Sequence, residues 1–249
     1  MAAHQPKRFY QTVSVSRAAG GYGVSLDGKP LKTPAGAELI LPAPALAEAI
    51  ADEWRAQGEK MSLDTMTLTK LANAGLDRVA TDRKAAIEQI LRFARSETLC
   101  YRADAPKALV QRQGALWDPL LEWARVRYGA ALACVAGITH VEQPPDALST
   151  FEQVIAEEDN FSISGLASAA ALTGSLVIAL ALLEGRLDAE QAFAASQLDE
   201  IFQAERWGWD FEAEQRSRTK ATELAQIGRF LRLLRNAALS QCQIDEPST

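Results

Sequence analysis

Between Asp159 and Glu184 the chain carries no charged side chain, and any fold must bury that run, either in lipid or in its own core. Count alone allows a bilayer span. Composition favours the core. Gly165, Gly174, Thr173, four serines and six alanines leave the run only moderately apolar, and small side chains let helices approach closely in a bundle as they do in a membrane. The run is therefore expected to be the buried central helix of a helical domain, with a membrane span as the lesser reading.

From Leu63 onward the apolar period is almost everywhere helical. Leu68, Leu71 and Ala72 share one face, and so do Ile87, Leu91 and Ala94. Asp118-Pro119 reads as an N-cap and first-turn proline opening a helix that turns Leu120, Trp123 and Ala124 inward and stops at Gly129; a helix kinked at Pro119 is the alternative. Leu132 to Val141 fits a short strand or a buried loop. Leu148, Phe151 and Ile155 mark a helix beyond Pro144-Pro145. Asp188 and Gln191 form a capping-box pattern opening a helix whose inward stripe includes Leu198, Ile201 and Phe202. The last helix starts near Asp210, carries Leu224, Ile227, Leu231 and Leu234, and is expected to fray after Asn236.

The first forty residues differ. Phe9, Val13 and Val15 alternate with polar residues, Tyr22, Val24 and Leu26 alternate up to Asp27-Gly28, and Glu38 to Leu41 makes a last short strand. Asp27-Gly28 accepts the positive backbone angles of a tight hairpin. At Pro44 the period becomes helical, with Leu46, Ile50 and Trp54 on one stripe of a helix that covers the sheet and ends near Gly58. The fold class is thus α+β. A small N-terminal antiparallel domain with its covering helix, residues 1–62, precedes a larger helical domain, residues 63–249.

Chemistry is sparse. With 26 basic and 32 acidic residues and a net charge of -6, nothing global attracts phosphate backbones or anionic lipid, so nucleic acid is a poor partner. Cys100, Cys134 and Cys242 are distant in sequence and form no Cys-x-x-Cys pair, arguing against a disulfide framework or a zinc site and for reduced thiols in a cytoplasmic protein. The N-terminus has no apolar stretch for a signal peptide, which suggests a bacterial-like, untargeted chain. His4 falls in a loose terminus, and His140 reads as a satisfied structural histidine rather than a triad member. Gly23 to Lys29 fits the first seven positions of a phosphate-binding loop, but Pro30 stands where the magnesium-binding hydroxyl belongs and supplies no amide. A hairpin turn is favoured over a nucleotide-dependent enzyme built on that loop. Neither a cofactor nor a metal is expected.

One run remains. Asp- and Glu-rich helical segments meet at Trp207-Gly208-Trp209, with Asp199 and Glu200 before the junction and Asp210 and Glu212 after it. Glu212 with Arg216 and Glu214 with Arg218 are exposed ion pairs at four-residue spacing, each contributing about a few tenths of a kcal/mol. Trp207 and Trp209 could anchor a partner, although core packing is the favoured reading.

These residues also carry a resemblance. Leu26-Asp27-Gly28-Lys29-Pro30-Leu31-Lys32-Thr33-Pro34, Glu53-Trp54 followed by Gln57-Gly58-Glu59, Met66 to Asn73, Glu97 to Ala103, Trp117 to Leu121, Gly174 to Val177 and Trp207-Gly208-Trp209-Asp210 occur in the order found in the ATP synthase assembly chaperones that serve the alpha subunit of the catalytic sector. The chain resembles that family from about Arg8 to Leu234. The resemblance implies a chaperone, not an enzyme, that holds the unassembled alpha subunit, shields the surface destined for the beta subunit and releases it as the hexamer assembles. It implies an N-terminal β-rich domain and a C-terminal helical domain with a boundary near residues 60 to 65. It also implies a functional role for acidic residues of the helical domain. The candidate partner-binding residues are Asp199, Glu200, Trp207, Asp210 and Glu212, with no catalytic, cofactor or metal residue and no stable membrane insertion.

Overall fold

The structure, a computed structural model, describes residues 6–244, with side chains placed for 6–237. The expectation for His4 falls outside those residues. The chain opens on an antiparallel sheet in which β1 (Val13–Ala18) pairs with β2 (Gly21–Leu26), from Val13 opposite Leu26 to Ala18 opposite Gly21. The short strands β3 (Lys29–Pro30) and β4 (Ile40–Leu41) also pair with β2. Asp27 and Gly28 have φ of 49° and 77°, the two positive angles of the expected hairpin turn. The Asp27 carboxylate accepts from Thr12 N at 2.8 Å and Thr12 Oγ1 at 2.9 Å, and these bonds, led by the Thr12 amide, hold its carboxyl below the usual range. Pairing begins at Val13 rather than Phe9. Phe9 is exposed, while Tyr10 is buried and its hydroxyl donates to Trp54 O at 2.6 Å.

Helix α1 (Pro44–Arg55) buries Leu46, Ile50 and Trp54 against β1 and β2, as the stripe predicts. Its Glu53 joins the sheet to the helices. Glu53 Oε1 accepts from Leu68 N at 2.7 Å and Oε2 from Thr69 N at 2.8 Å, satisfying the free amides that open α2 (Thr67–Ala74). Burial raises the Glu53 pKa against the pull of those bonds.

α2 runs on through a π-helical turn, Gly75–Val79, to α3 (Arg83–Arg95), capped by Asp82, whose carboxylate accepts from Ala85 N at 3.0 Å. A 3-10 turn, Thr98–Cys100, leads into β5 (Tyr101–Arg102). α4 (Lys107–Tyr128) then runs through Pro119 as one helix, correcting the expectation that Asp118 caps a new one and agreeing with the alternative of a single helix with the proline inside it. Leu109, Gln113 and Trp117 before the proline and Leu120 and Ala124 after it are all buried, and that shared packing outweighs one missing backbone bond. Asp118 is occupied elsewhere, 2.7 Å from Arg102. β6 (Val135–Ala136) pairs parallel with β5, so Leu132 to Val141 holds a strand of two residues within loop.

After α5 (Pro145–Glu157), the charge-free run forms two helices rather than one, α6 (Asn160–Thr173) and α7 (Leu176–Leu183). Gly174, at φ 71°, ends the first, and Ser175 caps the second by accepting from Ile178 N at 3.0 Å. Every residue of α7 is buried, and among the described residues no helix is long and apolar enough to cross a membrane. Buried Glu97 sits at the N-terminus of α7, accepting from Val177 N at 3.2 Å. The Asp188–Gln191 capping box opens α8 (Ala189–Ser196) as read, but the helix breaks at Gln197 and α9 (Leu198–Trp207) follows. α10 (Phe211–Ile244) extends past Asn236 instead of fraying there. One continuous core runs from Val24, Leu41 and Ile50 through Leu68 and Ile90 to Leu176 and Phe230.

Candidate functional site

α9 and α10 meet at Gly208, whose φ of 83° and ψ of 164° lie where only glycine is at ease. A Cβ there would meet nothing within 4 Å, so backbone conformation, not crowding, requires the glycine. The bend leaves three aromatics in solvent. Trp207 is 77% exposed, Trp209 42% and Phe211 75%, which corrects the favoured reading that the tryptophans pack in the core. Only Leu198 and Phe202 of α9 are fully buried.

The acids around the tip differ in how free they are. Asp210 Oδ1 accepts from Ala213 N at 2.7 Å, so this carboxylate caps α10. Asp199 Oδ1 accepts from Gln113 Nε2 at 2.8 Å, and Gln113 Oε1 takes Ala103 N, which ties α9 through α4 to the end of β5. Glu212 is 3.5 Å from Arg216, with its side chain 84% exposed. Glu200 is exposed in the first turn of α9. The structure thus places Asp199 and Glu200 in the first turn of α9 and Trp207, Asp210 and Glu212 at the Gly208 junction two turns further on, with Asp199 and Asp210 in structural bonds and Glu200 and Glu212 exposed.

Sequence reading missed three contributors. Phe211 completes the aromatic tip, and its place directly after the Asp210 cap was the available signal. Arg112 of α4 holds Glu205 of α9 by paired bonds at 2.6 and 2.9 Å, a link across distant sequence that no local pattern reveals; hydrogen bonding by Arg112 keeps the Glu205 carboxyl low. Arg206 lies 4.6 Å above the Phe202 ring. Residues 198–214 carry six carboxylates against the single cation Arg206, and of these Glu205, Glu212 and Glu214 pair with Arg112, Arg216 and Arg218, so the exposed aromatics stand among acids that are partly matched by arginine.

The other candidates are scattered. Gly23 to Lys29 is β2 and its hairpin turn, with no helix following to present amides to a phosphate. His140 is exposed on a loop, with its Nδ1 3.3 Å from the Tyr101 hydroxyl. Among the described residues no group of three or more His, Cys, Asp or Glu side chains could hold a metal ion. A cleft of about 910 Å³ lies away from the tip, between α1, α2 and α10, with Asp64 and Glu223 among its acids and Lys70 and Arg229 among its cations.

The chain is similar to known proteins over most of its length. A family model described as ATP12 chaperone protein matches residues 7–125, a span that stops before α9. The mitochondrial protein atp12 of Schizosaccharomyces pombe is 23% identical over 214 residues, which span 81% of this chain and 74% of that protein. Among solved structures, Atp12 from Paracoccus denitrificans superposes with a TM-score of 0.85 at 40% identity, covering 91% of this chain and 97% of the other. The Atu1473 protein of Agrobacterium tumefaciens superposes with a TM-score of 0.87 at 41% identity, covering 92% and 86%.

Proposed function

Since the chain belongs to the ATP12 family of assembly chaperones, we propose that it binds the unassembled alpha subunit of the ATP synthase catalytic sector through the α9–α10 tip, shields the surface meant for the beta subunit, and releases it during hexamer assembly. The observation that carries this reading is the exposed trio Trp207, Trp209 and Phe211 set among carboxylates at a glycine bend. Aromatics of that kind are the usual anchors of a protein interface, and the surrounding acids speed encounter and fix register with an apolar surface rimmed by basic groups. Asp199, Glu200, Asp210 and Glu212 supply that charge. Affinity stays moderate, because the beta subunit must displace the chaperone. The reading needs neither nucleotide nor metal, and no chemical transformation.

Glu200 and Glu212 give the clean test, since Asp199 and Asp210 also hold up local structure. Purified Glu200→Lys/Glu212→Lys protein, and separately Trp207→Ala/Trp209→Ala protein, should keep the wild-type circular dichroism spectrum and melting temperature. Each should bind isolated alpha subunit at least about tenfold more weakly by calorimetry, the equivalent of about 1.4 kcal/mol. Wild-type affinity in both would remove the tip from the interface.

A further inference from the structure

Cys100 and Cys134, far apart in sequence, are neighbours in the fold. The parallel pairing of β5 and β6 sets Tyr101 opposite Val135 and Arg102 opposite Ala136. Cys100, the last residue of the 3-10 turn, and Cys134, in the loop before β6, each immediately precede that pairing and so lie side by side where it begins. Their thiols are within hydrogen-bonding reach. Adjacent strands lie about 5 Å apart, inside the Cα separation of about 4.4–6.8 Å that a disulfide spans. Access to the two sulfurs is unequal, with Cys100 fully buried and Cys134 exposed. Burial first, and the Glu97 carboxylate second, push the Cys100 thiol well up, so it stays protonated and inert to reagents in solution. Chemistry at the buried sulfur has to enter through the exposed one.

We propose that Cys100 and Cys134 form a modification site that takes low-molecular-weight disulfides and closes into an intramolecular disulfide. Cys134 loses its proton and its thiolate attacks one sulfur of a reagent such as oxidised glutathione. The reagent's S–S bond breaks, a mixed disulfide forms on Cys134, and one glutathione leaves with the proton. Cys100 then gives up its proton and attacks the Cys134 sulfur, expelling the second glutathione as a thiol. The protein loses two protons and two electrons, which the reagent gains as two thiols. The second step is the slow one, because the attacking thiol is the buried member. The site goes beyond the chaperone reading and stands without it, although the hydrogen bonds from Ala103 through Gln113 to Asp199 run from the end of this ladder to α9.

The test uses the full chain carrying Cys242→Ser, so that only this pair can react. It is incubated with oxidised glutathione, and intact mass and mapped peptides are followed over time. A glutathione adduct on Cys134 should appear first and give way to a species lighter than the reduced protein by two hydrogens, with Cys100 linked to Cys134 and dithiothreitol reversing the change. Adduct decay should accelerate about tenfold per pH unit near neutrality, following the thiolate fraction of Cys100. Adding Cys100→Ala should stop the reaction at the adduct, and adding Cys134→Ser should leave Cys100 unmodified. A lasting adduct beside a free Cys100, disulfides only between molecules, glutathione on Cys100 without Cys134, or no reaction would each overturn the proposal.

Discussion

Glu97 receives hydrogen bonds from Leu99 N, Val177 N and the Ser175 hydroxyl, every one favouring the carboxylate, yet burial outweighs them and raises its pKa from 4.5 to about 7. The folded protein therefore holds this proton more tightly than the unfolded chain. That stabilisation is complete below the unfolded value and is lost as pH rises from about 4.5 to about 7. Urea midpoints should fall across that window, and Glu97→Gln should flatten the fall while lowering stability most at its acid end. Some slope will remain, since burial also raises Glu53 and Glu158. An unchanged slope in the variant would show that Glu97 does not titrate there. Trp54, 8% exposed with the Tyr10 ring 5.5 Å away, carries a different kind of weight. Trp54→Ala should cost about 3–5 kcal/mol by chemical denaturation, and any loss of partner binding in that variant reports unfolding.

Elements whose signals are local were legible in sequence. The Asp27-Gly28 turn, the α1 stripe, the Asp188–Gln191 box and the Glu212–Arg216 and Glu214–Arg218 pairs all depend on residues within a turn or two. What sequence could not give depends on distant partners. Pro119 is carried inside α4 by packing on both sides of it, and a disulfide-range pair of cysteines is visible only once β5 meets β6. The exposure of Trp207 and Trp209 was misjudged, because nothing local says whether a neighbouring element covers Trp207 or leaves it bare. Glycines make the same contrast testable. A Cβ at Gly165 would stand 2.5 Å from Leu231 Cδ2, between α6 and α10, in fully packed core. Gly165→Ala should cost about 1–3 kcal/mol in urea unfolding. Gly208→Ala meets open space but strains the backbone at φ 83°, and because that strain can relax by moving only the exposed tip it should cost less global stability than Gly165→Ala while redirecting Trp207 and Trp209 and weakening the proposed alpha-subunit binding. Equal losses of stability at both sites would contradict the packing described.

At the scale of the molecule, the fold divides into a close-packed body and a thinly supported projection. α7 has no exposed residue, and α10 is buried at Leu224, Ile227, Phe230 and Leu231, whereas its residues 211–223 include none that is fully buried. Local opening follows local packing, so amides of 211–223 should exchange with deuterium well ahead of those of 224–234, and alpha-subunit binding should slow the former. Uniform exchange along α10 would mean that the projection is held more firmly than its packing indicates. The same division bears on inheritance. Substitutions of exposed tip residues leave the unfolding equilibrium of the packed body, and with it the unfolded fraction that chaperones and proteases act on, largely unchanged. Lesions at Trp207, Trp209 or Phe211 are thus expected to leave steady-state protein levels intact in immunoblots while ATP synthase falls short. Genetic screens that score abundance would pass over them, and only assays of assembly would find them.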